Sequence, residues 1–241
     1  SFLDRFGKTA TFIKNDLRLL KRSKRARTAV YMGIGFLFYG LLFVSFEDIY
    51  GSTGSFFGHL FSTGGFLFMF GSFVPSWDSQ YYPLMMTQNI EYKEYLNSKW
   101  SLMIIGTAIS TVLASLIYSF FGTNAVFAVL AGAFYNIGVN GYLTLWAGAY
   151  TKSPIDLNSS ANAFGDKKAI NAKTMLVGIP QFALPIIVYY FTSQYYDHLT
   201  GCLAVAAIGA LGIFLKPVAF SLILKAYKTE KYSTLKAYKS N

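Results

Sequence analysis

Six apolar stretches divide the chain, at 28–46, 55–74, 101–121, 125–149, 175–192 and 200–222. Each has about the 20 residues a helix needs to cross a ~30 Å hydrocarbon layer. The pieces between them alternate in charge. The N-terminal segment, 75–100, 150–174 and the tail from Lys216 hold all 21 lysines and arginines. The intervening pieces, 46–54, 122–124 and 192–200, hold none, although they carry Glu47, Asp48 and Asp197. Basic residues stay cytoplasmic because carrying them across the bilayer during insertion is costly. One slipped helix would break the alternation. The pattern predicts an all-α integral membrane protein with six transmembrane helices and both termini in the cytoplasm. The expected location is the bacterial cytoplasmic (inner) membrane.

The flanks extend this plan. Phe2, Phe6, Ala10, Ile13, Leu17 and Leu20 recur at spacings of three and four, which is one face of a helix. Arg5, Lys8, Lys14, Arg18 and Lys21 take the other faces. Residues 1–27 therefore read as an amphipathic helix lying along the cytoplasmic leaflet. The six-helix membrane domain is expected over 28–224, and a basic cytoplasmic tail over 225–241. Lys216 can snorkel to the interface from the end of the sixth stretch, and Pro217 should bend the chain there.

Composition agrees with the pattern. Hydrophobic residues make up 54% and charged residues only 13%, against about 25% charge in a soluble domain. The net charge of +10 is spread over loops that would face anionic lipid, so anionic lipid rather than nucleic acid is the expected partner. The single cysteine, Cys202, excludes a disulfide within the chain. The start at Ser1, with no signal peptide, suggests a fragment or the second half of a longer protein.

Catalytic motifs are absent. There is no HExxH, no paired cysteine and no Ser/His/Asp set, so no catalytic residue, metal or cofactor is expected. Gly7-Lys8-Thr9 has the end of a phosphate-binding loop, but Phe2 stands where its first glycine belongs. His59 and His198 read as interfacial polar residues. Asn158-Ser159-Ser160 fits a glycosylation sequon but falls on the cytoplasmic side. Gly58, Ser62 and Gly65 share a helical stripe that packs against another helix or lines a path. Asn136, Asn140 and Tyr142 are the main polar groups of the fourth stretch, able to bond between helices or face a cavity. No Asp, Glu, Lys or Arg lies mid-stretch, which argues against a self-powered secondary transporter. Pro180 and Pro185 should kink the fifth.

The most informative connection is 75–100. It contains Trp77, Asp78, Tyr81, Tyr82, Met85 and Met86, then Tyr92 and Tyr95. Asp78 and Ser79 can cap a short helix, with Tyr82, Met85 and Met86 facing outward or into a partner. This short aromatic and Met-rich helix resembles the coupling helix of the membrane domains of type-2 ABC exporters. The resemblance spans the chain: basic amphipathic helix, six spans, both ends inside. Ser76-Trp77-Asp78-Ser79, Tyr95-Leu96-Asn97-Ser98-Lys99-Trp100 and Phe164-Gly165-Asp166-Lys167-Lys168-Ala169-Ile170-Asn171 are similar to the C-terminal half of a bacterial permease-like family catalogued as a domain of unknown function. The loop between spans five and six lacks the extracellular elaboration of eukaryotic exporters.

The resemblance implies a permease domain driven by a separate ATP-binding cassette ATPase subunit, docked around 77–96. It also implies a second six-helix membrane unit, either a copy or a missing N-terminal half. ATP hydrolysis is then expected on the partner, and this chain is not expected to be an enzyme. Two alternatives stay open: a membrane scaffold or assembly protein without transport activity, and an integral membrane lipid-modifying enzyme.

Overall fold

The computed structural model describes residues 7–45, 47–87, 91–157 and 176–239. The sequon at Asn158 and the 164–171 motif lie outside them. The described chain is helical, with no strand. Its helices are α1 (Gly7–Arg22), α2 (Lys24–Leu37), α3 (Tyr39–Val44), α4 (Glu47–Gly71), α5 (Tyr82–Thr87), α6 (Tyr92–Tyr118), α7 (Thr123–Tyr135), α8 (Gly141–Gly148), α9 (Leu184–Tyr195), α10 (His198–Phe214) and α11 (Lys216–Lys239). Single π turns at Asn136–Asn140 and Ile179–Ala183 lead into α8 and α9.

Five helical stretches have the length and composition to cross a membrane: Lys24–Val44, Ser52–Asp78, Tyr92–Phe121, Thr123–Gly148 and Leu176–Tyr195. The pair α10 and α11 makes a sixth if taken together; they meet at a bend of 68°. Pro217 contributes to that bend because it has no N–H to continue the helix. Ser52–Asp78 and Thr123–Gly148 are 67% and 61% buried, against 22–28% for the other three. These two stretches form the centre, and the others pack around them.

Small residues set how closely the centre packs. A Cβ on Gly58 would lie 2.9 Å from the Cα of Gly40, and one on Gly65 would lie 2.5 Å from the Cβ of Phe36. Ser62, between them, accepts the Gly40 N–H at 3.3 Å. The Gly58–Ser62–Gly65 stripe is thus the face on which α2 and α3 pack, as small residues allow in lipid. The π turn at Asn136–Asn140 coincides with a second close crossing, against α10. Asn136 reaches across to α4, donating to the Leu60 carbonyl and the Thr63 hydroxyl, each at 2.9 Å. Asn140 donates to Asn136 at 2.8 Å. These amides serve bonds between and within helices.

Burial and helix bounds refine three expectations. His59 is fully buried, its ring edge-on to Tyr118 at 4.4 Å, rather than interfacial. In α1 the buried face is Ala10, Ile13 and Asp16, while Leu17 is 44% exposed. The helix is rotated relative to its apolar stripe, because Asp16 has a partner inside. The boundary expected at 224/225 lies within α11, which runs unbroken from Lys216 to Lys239.

Candidate functional site

The segments expected on the basic side gather at one end of the bundle. Ser23 begins the assembly. It caps α2 by accepting the Ala26 N–H at 3.2 Å, and it donates to the Leu157 carbonyl at 2.9 Å. This ties the junction of α1 and α2 to the connection after α8. Lys152 adds an ion pair to Glu230 of α11 at 2.7 Å.

At the centre is Lys99, near the start of α6. Its side chain is 2% exposed. The ammonium donates to Asp16 Oδ1 of α1 and pairs with Asp78 Oδ2 at 2.7 Å. Tyr95 donates its hydroxyl to the same Asp78 oxygen at 2.8 Å. Lys99 also lies 5.2 Å from the Tyr95 ring centroid and 5.9 Å from that of Phe70. Two carboxylates around one ammonium leave the cluster formally at −1. Asp16 Oδ2 is buried and has no hydrogen-bond partner among the described residues. Burial pushes the Asp16 carboxyl up from 3.8 to about 6; the Lys99 charge opposes this and Asp78 adds to it.

The cluster lies at the base of a cleft of about 680 Å³. Phe12, Leu19, Trp77, Leu84, Met85 and Leu157 give it apolar walls. Arg18, Arg22, Asn15, Thr11 and Tyr81 add polar groups. Arg18 and Arg22 are exposed and one helical turn apart on α1.

The segment expected to couple to a partner forms one wall. Trp77 is buried, donates to the Phe70 carbonyl at 2.8 Å and stacks on the Phe70 ring. Tyr82 is 1% exposed, with its hydroxyl 3.0 Å from that of Tyr92 and its ring edge-on to Tyr238 of α11. Burial and Tyr92 raise the Tyr82 pKa. Met85 and Tyr95 are buried, and Met86 and Tyr92 are half-buried and joined by a 3.0 Å hydrogen bond from the Tyr92 hydroxyl. The outward orientation expected for Tyr82 and Met85 is therefore corrected. The cause is α11, which folds back so that Tyr227 donates to the Val74 carbonyl and Tyr238 meets Ser76. The apolar side chains this segment presents outward are Tyr81, 62% exposed, and Leu84, 54% exposed.

Other sequence candidates lie elsewhere. Gly58, Ser62, Gly65, Asn136 and Asn140 belong to the central packing. Tyr142 is buried parallel to Trp100, ring centroids 6.0 Å apart. Lys216 lies over the Trp100 ring at 3.6 Å, an aromatic resting place for a snorkelling cation. At the opposite end His198 accepts from or donates to Tyr189 at 2.6 Å and bonds the Asn124 carbonyl at 2.8 Å. Asp197 caps α10 through the Thr200 N–H, which holds its pKa down. Among the described residues no group of His, Cys, Asp and Glu could hold a metal ion.

The ion cluster was missed at the sequence level. Its signal was Asp16, the one acidic residue between Gly7 and Arg27, placed three residues after Ile13 and six after Ala10. Five or six helices long and apolar enough to cross a membrane, two of them central, with the charged groups of one end gathered into a cleft, define a multi-helix protein with the composition of a membrane protein. The chain belongs to a family of unknown function, DUF5687, whose family model covers residues 1–241. No curated protein and no solved structure matches it.

Proposed function

We propose that the chain is the permease domain of an exporter, driven by a separate ATPase that docks at the end holding Lys99. The reading places six spans in the bacterial inner membrane, with the basic end and both termini in the cytoplasm. One observation carries it: the connection 76–87 is a folded element, fixed to the base of α6 and to α11, and through Lys99 to α1. A push or pull on such an element reaches all three helices instead of dissipating in a loose loop. Asp78 and Tyr95 supply the tie to α6, and Tyr82 the tie to α11. Tyr81 and Leu84 remain for a partner. Substrate binding would involve a second six-helix unit, since one unit of this kind does not enclose a pathway.

The test is purification in mild detergent with identification of co-eluting proteins. An ATPase subunit is expected. Tyr81→Ala with Leu84→Ala should release it while leaving the membrane protein monodisperse, because both side chains are already exposed. Truncating a central interface residue costs about 2 kcal/mol or more, so the pair should weaken association about a thousandfold at 1.4 kcal/mol per decade. Retention of the ATPase by a monodisperse double variant refutes this docking surface. No ATPase on the unmutated protein favours the scaffold reading.

A further inference from the structure

The cleft beside Asp16 has a polarity of its own. Its base holds two carboxylates against one ammonium, and Asp16 Oδ2 stays buried without a partner among the described residues. Its α1 edge holds Arg18 and Arg22. A simple anion entering the cleft is favoured by the arginines and repelled by the base. A simple cation meets the reverse. A zwitterion with its positive end inward satisfies both, and an N–H donor answers the unpaired oxygen. The volume, about 680 Å³, is within the roughly 300–1,000 Å³ of small-molecule sites.

The walls and setting narrow the ligand. Phe12, Leu19, Leu84 and Met85 offer apolar contact beside the charges. α1, which forms the arginine edge, exposes Leu17 and a set of basic residues, as a helix lying on a bilayer does. We propose that the cleft binds the headgroup of an aminophospholipid, with its primary ammonium against Asp16 and its phosphate between Arg18 and Arg22. Bound there, the lipid joins α1 to the 76–87 element. Nothing in this depends on an ATPase, so the proposal stands or falls separately from the exporter reading.

The shared chemistry of ammonium and phosphate occurs in the lipid and in its free headgroup, and the test separates them. The delipidated protein in detergent is titrated with dioleoyl phosphatidylethanolamine, dioleoyl phosphatidylcholine, dioleoyl phosphatidylglycerol and soluble glycerophosphoethanolamine, and binding is read by native mass spectrometry. Phosphatidylethanolamine should bind at least about tenfold more tightly than the other two lipids, which lack an N–H donor on a cation. Asp16→Asn should remove that preference. Arg18→Gln with Arg22→Gln should weaken phosphatidylethanolamine by a similar factor, and as exposed positions they keep the test decisive if Asp16→Asn folds poorly. Equal binding of the three lipids overturns the proposal, as does unchanged binding by the arginine double variant. Glycerophosphoethanolamine binding as tightly as the lipid overturns the bilayer as the source.

Discussion

Gly138 and Gly209 meet backbone to backbone: a Cβ on Gly138 would lie 1.8 Å from the Gly209 carbonyl oxygen. Gly212 repeats the contact, 2.0 Å from the Gly138 carbonyl oxygen. No side-chain rotation relieves a clash with backbone. Gly138→Ala should therefore separate α10 from the central pair and cost about 1–3 kcal/mol or more. Gly35→Ala is the comparison, since a Cβ there meets nothing within 4 Å. Thermal unfolding in detergent checks both, with a large fall for Gly138→Ala and none for Gly35→Ala. Equal melting temperatures for the two variants would contradict the crossing.

The Lys99 cluster predicts a strongly non-additive series. Lys99→Met leaves Asp16 and Asp78 facing each other without compensation, and breaking a buried pair costs about 3–5 kcal/mol. Asp16→Asn and Asp78→Asn added to Lys99→Met should restore most of the loss, because the triple variant buries no charge. The measurement is detergent unfolding of the single and triple variants. A triple variant as unstable as the single one would show that Lys99 acts through packing alone.

Asp16 also predicts a pH dependence. Its carboxyl holds its proton up to about pH 6 in the fold, against 3.8 for the ordinary group. Between those values the folded state binds more protons than the unfolded state, so this group makes stability rise as pH falls. Asp16→Asn resembles the protonated form at every pH. Relative to that variant, the unmutated protein should gain stability from pH 7 to about pH 4 and gain nothing further below it. A constant difference across that range would remove Asp16 as the titrating group.

Sidedness has a direct test that the structure refines. Ser98, a natural choice for a cytoplasmic reporter, is fully buried. Gln80 and Thr229 are exposed at the basic end, and Asn124 and Gln194 at the other. In a Cys202→Ala background, cysteines at 124 and 194 should react with an impermeant thiol reagent added to sealed cells. Cysteines at 80 and 229 should react only after lysis. Labelling of position 80 from outside would reverse the proposed orientation.

The long apolar helices were legible because a membrane-crossing helix makes one simple demand, an apolar run of sufficient length. The small-residue stripe of α4 and the bend at Lys216–Pro217 were legible for similarly local reasons. The site was not. Asp16 and Lys99 are 83 positions apart, and each alone reads as an ordinary charge at a basic interface. Their mutual burial depends on the angle at which α1 docks against the bundle, which the periodicity of a single helix does not specify. Tyr82 and Met85 failed for a related reason. An aromatic connection can face a partner or its own chain, and only the return of α11 decides between them.

Because Asp16 finds its counter-ion in Lys99, the order of synthesis acquires a role. During translation α1 emerges before the residue that completes it, and two apolar stretches, α2 with α3 and then α4, must be made before the base of α6. Until then α1 carries a carboxylate on the face it will bury. Its buried position becomes complete only once the base of α6 has been made.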